Sequence, residues 1–433
     1  MAESRVPQII QSAASQSATM TAADPTREAA FILLSGVLDR HRPLEDALDA
    51  LPPMDPRDRA AGHRLAAAVL RRMGSLDAAL EPFLQKAPPI PVRHILRIGA
   101  AGLLLLGTPP HAAVGTAVDL ARAKGLAPFA KLVNAVLRRV ADAGVAALDT
   151  LDGPRLDTPG WLWTAWGVEA RAIAEAHLVE APLDLAIRPG AEPPPGGVEL
   201  PTGAWRYPAG TRVAELTGFE AGDFWVQDAA AGLPARLLAA APGERVADLC
   251  AAPGGKTAQL AASGARVSAI ERDPQRLERL RSNLHRLRLA AEGIEADATV
   301  WRPDAPLDAV LLDAPCSATG TIRRHPDIAH LKRSQDVVAL AEGQDRLLEA
   351  ACAMLRPGGR LVYAVCSLQP REGVARASAA LRRMSLRPDP VRPDEVPGLE
   401  AAITADGHVR TTPAMWPERG GIDGFYIARW RRG

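Results

Sequence analysis

The stretch VADLCAAPGGKT occupies residues 246–257 and decides the fold of its part of the chain. Its apolar start is typical of a buried strand, and its Pro-Gly-Gly segment indicates a tight turn. The residues after the turn favour a helix. A strand, a small-residue turn and a helix together bind nucleotide-like ligands, because backbone N–H groups and a helix N-terminus can approach the ligand closely.

Strand-like and helix-like segments alternate on both sides of this turn. Strands are expected at residues 245–250, 266–271, near 294, at 309–313 and at 360–365, and helices at 274–287 and 334–355. This alternation predicts an α/β, Rossmann-like domain with a doubly wound, mostly parallel sheet over residues 224–433. The last apolar alternation, at residues 425–430, predicts a C-terminal edge strand.

The first third of the chain has a different pattern. Apolar residues recur there at three- and four-residue spacing, and no strand pattern competes. We therefore expect an all-α domain over residues 23–144. Residues 145–223, interrupted by Pro and Gly, predict a connector with a small subdomain. Residues 1–22, rich in Ser, Ala and Gln, predict a disordered N-terminus.

Composition narrows the class of protein. The chain has 433 residues, 47 % apolar, and a net charge of +1. It lacks an apolar run of the roughly 18 residues that a membrane span needs, and no signal peptide is recognisable, so a cytoplasmic protein is expected. Nothing in the sequence indicates an oligomer, so a monomer is expected. The net charge does not indicate nucleic-acid binding, but the local distribution of charge does. Residues 60–139 hold eleven Lys or Arg against three Asp or Glu, typical of a phosphate-facing surface or of solvated helix faces.

Two ligand classes compete for the turn at residues 250–257. A nucleotide phosphate loop needs a glycine where this chain has Cys250, which disfavours an NTPase. An adenosyl cofactor needs an acid at the tip of the next strand, where Glu271 stands, to accept the ribose hydroxyls. Asp297, after the third strand, is a candidate acceptor for the adenine amino group. The turn, Glu271 and Asp297 follow successive strands in the order that an adenosyl cofactor needs, so together they favour this cofactor.

The chain has four cysteines, and two of them stand at predicted strand ends. Cys316 follows the fourth strand and Cys366 the fifth. Ligands of an open parallel sheet bind outside the carboxyl ends of its strands, so both thiols should face the crevice that holds the cofactor. Cys352, on a predicted helix, is typical of a small buried core residue. The cysteines form no CxxC pair and have no zinc spacing, so no metal is expected.

Two thiols in one crevice suit methylation of a cytosine at carbon 5. A thiolate that adds to carbon 6 makes carbon 5 nucleophilic. Asp313 is a candidate to protonate ring N3 if burial raises its pKa, and Cys316 is a candidate to help remove the carbon 5 proton. Lys256 offers the positive potential that favours a thiolate.

Four motifs resemble those of the RNA cytosine-5 methyltransferases. They are DLCAAPGGKT at 248–257, DAPCSATG at 313–320, RRHPD at 323–327 and YAVCS at 363–367. The resemblance spans residues 224–430 and implies S-adenosylmethionine as the cofactor. It implies Cys366 as the nucleophile and Cys316 as the cysteine for product release. The implied cofactor contacts are Cys250, Ala251, Ala252, Pro253, Gly254, Gly255, Lys256, Glu271, Asp297 and Asp313, and the implied RNA contacts are Arg323, Arg324 and His325.

The helical region resembles the antitermination factor NusB, at residues 109–114 and 131–139. A NusB-like RNA-binding domain ahead of a methyltransferase is similar to the RsmB (Sun/Fmu) type of bacterial small-subunit ribosomal RNA methyltransferases. The resemblance implies 16S ribosomal RNA as the partner, with the target cytosine flipped out or single-stranded. Transfer RNA or another RNA is the alternative substrate.

Other classes fit the sequence less well. DNA cytosine-5 methyltransferases attack with the cysteine that corresponds to Cys316 and lack a counterpart of Cys366. Amino-group methyltransferases carry two prolines and an aromatic after the acid, unlike residues 313–316. In a non-catalytic RNA-binding factor the cofactor loop is expected to have decayed, whereas the loop at residues 250–257 is intact. The chain departs from the family pattern at residues 369–373, where Glu372 is the single acid.

Overall fold

The computed structural model describes residues 23–433, so the disorder predicted for residues 1–22 lies outside the described residues. The first part of the described chain is a bundle of helices. Its helices are α1 (Pro25–Leu38), α2 (Leu44–Asp49), α3 (Pro56–Arg71), α4 (Met73–Leu80), α5 (Ile90–Leu104), α6 (Pro110–Ala123) and α7 (Ala130–Ala143). No strand interrupts residues 24–142, so the prediction of an all-α domain is confirmed.

The local sequence explains where these helices begin. The Asp24 carboxylate accepts a hydrogen bond from the N–H of Arg27 at 3.0 Å and caps α1, and Asp55 caps α3 in the same way. A proline follows each cap, where its fixed φ suits the first helical turn and its missing N–H costs nothing. The apolar faces then meet in one core that buries residues such as Leu33 and Leu96 completely.

The middle of the chain forms short helices and a separate small sheet. Its helices are α8 (Ala146–Asp149), α9 (Gly153–Leu156), α10 (Gly160–Trp166) and α11 (Ala170–His177). Its strands are β1 (Leu183–Ile187), β2 (Val198–Glu199), β3 (Trp205–Tyr207) and β4 (Phe224–Val226). They pair antiparallel in the order β2-β3-β1-β4. Because β4 pairs with β1, residues 224–226 lie in this sheet and not in the large sheet that follows, although the sequence predicts that the α/β domain begins at residue 224.

A large sheet follows, with helices on both faces. Its helices are α12 (Leu233–Leu238), α13 (Gly255–Ala262), α14 (Pro274–Leu287), α15 (Ile328–Leu331), α16 (Ser334–Met354) and α17 (Val374–Arg383). Its strands are β5 (Arg245–Leu249), β6 (Arg266–Glu271), β7 (Glu292–Glu295), β8 (Leu307–Asp313), β9 (Leu355–Val365), β10 (Leu386–Pro388), β11 (Val409–Arg410) and β12 (Tyr426–Arg432). The order is β10-β12-β9-β8-β5-β6-β7, and β11 also pairs with β12.

Strands β5 to β9 run parallel, which confirms the predicted mostly parallel sheet. The strand order reverses between β5 and β8, and such a switch point opens a crevice at the carboxyl ends of the strands. The prediction that residues 425–430 form an edge strand is wrong. Strand β12 is antiparallel and lies between β9 and β10, because the short β10 covers its outer side.

The helical bundle contacts the large domain through the segment after β8. The backbone N–H of Leu44 donates to Asp327 Oδ2 at 3.0 Å, and Arg71 donates to the carbonyl of Arg323 at 2.9 Å. His330 Nε2 lies 2.8 Å from the carbonyl oxygen of Leu70. These contacts place the bundle beside the crevice. Within residues 23–433, none of the helices has the length and apolar character to cross a membrane.

Candidate active site

The turn after β5 carries main-chain atoms to the carboxyl edge of the sheet. Cys250 has a φ of 61° and Gly254 a φ of 102°, so both adopt left-handed conformations before α13 begins at Gly255. A Cβ on Gly254 would lie 3.1 Å from Leu280 Cγ, so glycine suits the position for its space as well as its backbone. The turn therefore leaves its backbone and the start of α13 open to a ligand.

A cavity of about 270 Å³ lies beside this turn, and its lining includes Cys250, Glu271 and Asp297. Glu271 is 3 % exposed. Its carboxylate accepts hydrogen bonds from the N–H groups of Ala252 at 3.4 Å and Asp273 at 3.1 Å. These bonds fix the acid at the tip of β6. The fold thus brings three of the ten predicted cofactor contacts, which follow or end three separate strands, to one cavity. Contact of the other seven with the cofactor stays a prediction.

Acidic groups near this cavity fit a cationic cofactor with hydroxyl and amino groups. Hydrogen bonds from Thr299 hold the pKa of Asp297 below its usual value, so this exposed carboxylate is ready to accept. Asp248 is fully buried, with Oδ2 accepting the Thr257 hydroxyl at 2.6 Å, and burial raises its pKa to about 7. Its Oδ1 has no hydrogen-bond partner among residues 23–433, and such an orphaned acceptor suits a ligand donor.

Lys256 and Asp313 form an ion pair across the switch point, with Nζ 2.7 Å from Oδ2. Burial acts to lower the pKa of Lys256, but the Asp313 carboxylate outweighs it and raises that pKa above its usual value. The Asp313 side chain is 30 % exposed. The Lys256 ammonium is the hydrogen-bond donor of this pair, and proton donation by Asp313 to the base stays a prediction.

The two candidate catalytic thiols are in contact. Cys316 Sγ lies 3.4 Å from Cys366 Sγ at the carboxyl ends of β8 and β9. The hydrogen bond to Cys366 and burial both raise the pKa of Cys316 well above its usual value. Lys256 and Cys366 are close enough for their charges to interact, so the thiol pair, the ion pair and the cofactor turn share one crevice.

The other two cysteines have different surroundings. Cys250 is in the turn, where burial raises the pKa of its thiol to about 12, with Glu271 and Asp313 adding to the effect. Cys352 is buried on α16 and packs in the core under the sheet, as the sequence predicts. Neither environment favours a thiolate, since burial disfavours the charged form of both.

The prediction that Arg323 holds RNA phosphates is wrong. Arg323 is 1 % exposed, and its guanidinium pairs with Asp228 and, at 2.9 Å, with Asp423. These two carboxylates belong to the segments before β5 and before β12. Arg323 therefore joins three loops around the crevice, a structural role that a charged sequence motif does not reveal.

Arg324 and His325 differ in charge. Burial acts to lower the pKa of Arg324, but Asp423 outweighs it and raises that pKa, and the guanidinium donates to Asp423 Oδ2 at 2.6 and 2.8 Å. Its charge also interacts with Cys366. Burial lowers the pKa of His325 to about 4, so its ring is neutral at neutral pH. RNA binding by these two residues stays a prediction. Because its ring is neutral, His325 would contact an RNA phosphate through a hydrogen bond and not through an ion pair.

One site residue for which the sequence predicts no role is Glu372. It is fully buried and hydrogen-bonded to Ser317 and Ser367, the residues that follow the two candidate catalytic cysteines. The repeated Cys-Ser dipeptide is the signal that could have indicated a shared partner. In residues 23–433, no group of three or more His, Cys, Asp or Glu side chains is arranged to hold a metal ion.

Comparison with known proteins identifies two matching regions. The family described as 16S rRNA methyltransferase RsmB/F matches residues 235–431, and the NusB family matches residues 24–142. The chain is 39 % identical over 410 residues to "Ribosomal RNA small subunit methyltransferase B" of Xanthomonas campestris, covering 84 % of this chain and 89 % of that protein.

Further relatives support the same assignment. The protein of that name from Xylella fastidiosa is 37 % identical over 441 residues, covering 93 % of this chain and 97 % of its own length. A solved structure described as the crystal structure of PH0851 superposes with a TM-score of 0.71 at 20 % identity. It covers 95 % of this chain and 100 % of that one, and at this identity the likeness shows the fold alone.

Proposed function

Because the chain belongs to the RsmB/F family of 16S rRNA methyltransferases, we propose that it methylates carbon 5 of a cytosine in 16S ribosomal RNA with two cysteines. The observation that carries the proposal is the 3.4 Å contact between the thiols of Cys316 and Cys366 beside the cofactor cavity. Carbons 5 and 6 of the ring are bonded neighbours. Two thiols in contact can therefore serve both atoms of one base.

The cofactor, S-adenosylmethionine, supplies an electrophilic methyl group when it is bound. Cys250, Glu271 and Asp297 line the cavity that would hold it, with Glu271 accepting its ribose hydroxyls and Asp297 its adenine amino group. The backbone of the turn and the start of α13 would lie against its methionine part. The unpartnered Oδ1 of Asp248 offers a further acceptor to a cationic group of the cofactor. These assignments rest on the fit between donor and acceptor chemistry.

Cys366 makes the covalent bond to the base. Its thiolate donates an electron pair to carbon 6, which makes carbon 5 nucleophilic. Carbon 5 would then take the methyl group that the cofactor supplies, and the electrons of the broken sulfur–methyl bond would stay on the cofactor's sulfur. The Lys256 ammonium, oriented by Asp313, stabilises the thiolate and donates to the ring edge where negative charge develops. Arg324 adds positive potential at the same thiol.

Cys316 completes the reaction. In the free enzyme its hydrogen bond to Cys366 is the largest cause that raises the pKa of Cys316. Once Cys366 sulfur is bonded to carbon 6 it carries no charge, so that cause disappears and Cys316 releases its proton to solvent more readily. The Cys316 thiolate then accepts the carbon 5 proton. The electrons of that C–H bond restore the carbon 5–carbon 6 double bond and expel the Cys366 thiolate.

The target base must leave its helix to reach this crevice. A flipped-out or single-stranded cytosine meets that requirement. The helical bundle beside the crevice carries an excess of Lys and Arg over residues 60–139 and would contact the RNA backbone. The proposal places the protein where ribosomal RNA is made, in the bacterial cytoplasm, and takes it to act as a monomer.

Two variants test the covalent mechanism with radiolabelled cofactor and protein-free 16S ribosomal RNA. We expect Cys366→Ala to lose methylation and to form no adduct, because the bond to carbon 6 cannot form. We expect Cys316→Ala to accumulate an RNA–protein complex that survives denaturation, because the carbon 5 proton is not removed. Cys352→Ala is the control and should retain activity. An adduct with Cys366→Ala and none with Cys316→Ala would reverse the two roles.

A further inference from the structure

Glu372 contacts the loops of both catalytic thiols, yet no step of the reaction uses it. Its side chain is fully buried. One oxygen, Oε1, accepts the backbone N–H of Ser317 at 2.9 Å, and the other, Oε2, accepts the hydroxyls of Ser317 and Ser367 at 2.5 Å each. Bonds to a carboxylate are stronger than neutral ones, so this acid joins the two loops firmly.

The two loops depend on Glu372 to different degrees. Cys366 directly follows β9, which pairs with β8 on one side and with β12 on the other, and its carbonyl accepts the N–H of Gly320 at 3.0 Å. The sheet therefore holds Cys366 without help from Glu372. Removing the acid should leave the nucleophile close to its place.

Cys316 lies three residues beyond β8, past the last ladder bond of this loop, which the Ala314 N–H makes to Ala364. After that point, Gln344 Nε2 donates to the carbonyl of Pro315 at 2.9 Å, and Glu372 accepts the N–H of Ser317. Gln344 Nε2 also lies 3.2 Å from Glu372 Oε1. The two side chains thus form one polar support around Cys316.

We propose that Glu372 is a positioning residue for Cys316 and controls the release step more than the attack. The proposal rests on the two-cysteine mechanism above. Without the carboxylate, the Cys316 loop loses the two hydrogen bonds that Ser317 donates, and its thiol moves away from carbon 5. A displacement of about 1 Å can cost a reaction about 100-fold in rate. The covalent adduct would then form and persist.

The test compares Glu372→Ala, Glu372→Gln and the control Glu395→Gln, which alters an acid that pairs with Arg429. We expect Glu372→Ala to lower kcat with the KM for the cofactor unchanged, and to accumulate the denaturation-resistant RNA adduct. Glu372→Gln should show a smaller effect, because its amide oxygen can still accept from the N–H of Ser317. Glu395→Gln should accumulate no adduct.

A second, milder pair separates positioning from folding. Ser317→Ala and Ser367→Ala each remove one hydroxyl bond to Glu372, but only the first weakens the loop of Cys316. We expect more adduct with Ser317→Ala than with Ser367→Ala. Equal amounts, or a Glu372→Ala variant that methylates normally or loses adduct and methylation together, would overturn the proposal.

The mechanism and the positioning role fail in different ways. If Cys316→Ala traps an adduct but Glu372→Ala and Ser317→Ala do not, the mechanism stands and the positioning role is overturned. If Cys316→Ala traps none, the two-cysteine mechanism is overturned and the role of Glu372 in release is overturned with it.

Discussion

At the scale of single residues, identical side chains acquire different chemistry from their surroundings. Cys352 is packed under the sheet, Cys250 is in a tight turn, and Cys316 contacts Cys366. Burial raises the pKa of the first two thiols, whereas the largest effect on Cys316 is its hydrogen bond to Cys366. Cys316 and Cys366 thus differ from the other two cysteines by their contact with each other, and Cys366 also by the nearby cation of Lys256.

Asp248 makes the stability of the protein depend on pH. Burial raises its pKa from 3.8 to about 7. Between these values the carboxyl is protonated in the folded chain and ionised in the unfolded one, so unfolding releases a proton. The stability that this group confers is therefore full below about pH 4 and is lost as the pH rises through 7. The shift corresponds to at most about 4 kcal/mol.

Asp248→Asn removes this titration. We expect the thermal midpoint of the variant to rise relative to the natural protein between pH 4 and pH 7, and the difference to level off above that. Measuring both midpoints at intervals from pH 4 to pH 8 without cofactor checks this. Thermal midpoints that change in parallel over the whole range would contradict it.

At the scale of elements, the turn after Cys316 packs against the loop before β12. The N–H of Gly320 donates to the carbonyl of Cys366 at 3.0 Å, and the N–H of Gly424 donates to the carbonyl of Gly320 at 2.8 Å. A Cβ on Gly320 would lie 1.9 Å from the carbonyl oxygen of Gly424. The two loops therefore pack so closely that residue 320 has no room for a side chain.

Gly320→Ala should separate these loops. We expect a loss of stability of about 1–3 kcal/mol from overpacking, together with reduced methylation, because the displaced turn also contacts Cys366. The matched control is Gly115→Ala, at an exposed helical position where a Cβ meets nothing within 4 Å. The control should be neutral or up to about 1 kcal/mol more stable. Thermal unfolding and methylation rates measure both; equal melting of the two variants would contradict the expectation.

At the scale of the whole molecule, the helical bundle contacts the segment that also forms the crevice. Asp327 accepts the buried N–H of Leu44, while Arg323, four residues earlier, joins the loops of Asp228 and Asp423. The arrangement of the bundle is therefore coupled to the loop that follows Cys316. This coupling gives the bundle a structural part in the site besides its predicted contact with RNA.

Asp327→Ala should loosen this docking. The buried N–H of Leu44 would lose its acceptor, which costs about 1–3 kcal/mol. We expect faster hydrogen exchange at residues 44–50 and 323–331 and earlier thermal unfolding of the bundle. Asp327→Asn keeps an acceptor oxygen and should stay near the natural protein. Unchanged exchange in the alanine variant would show that other contacts hold the bundle.

Much of the site follows from local sequence. The turn at 250–255, the acids at strand tips and the two cysteines at strand ends are set by short-range patterns, because a parallel sheet collects its strand ends at one edge. The alternation of strands and helices likewise predicts β5, β6 and β8 close to their observed bounds, and the end of β9, which begins five residues earlier than predicted, at Leu355. The weak, three-residue β10 has no such pattern, which is why β12 was expected at an edge.

Only the tertiary structure decides which polar groups meet. Sequence alone places Arg323 in a basic motif and Glu372 after a strand, but their partners lie up to 100 residues away in the chain. Partners so distant in the chain leave no local periodicity. The sequence by itself therefore determines the elements and the chemistry at their ends. Long-range packing decides that Arg323 pairs with Asp228 and Asp423, that Lys256 donates to Asp313, and that Glu372 joins the two thiol loops.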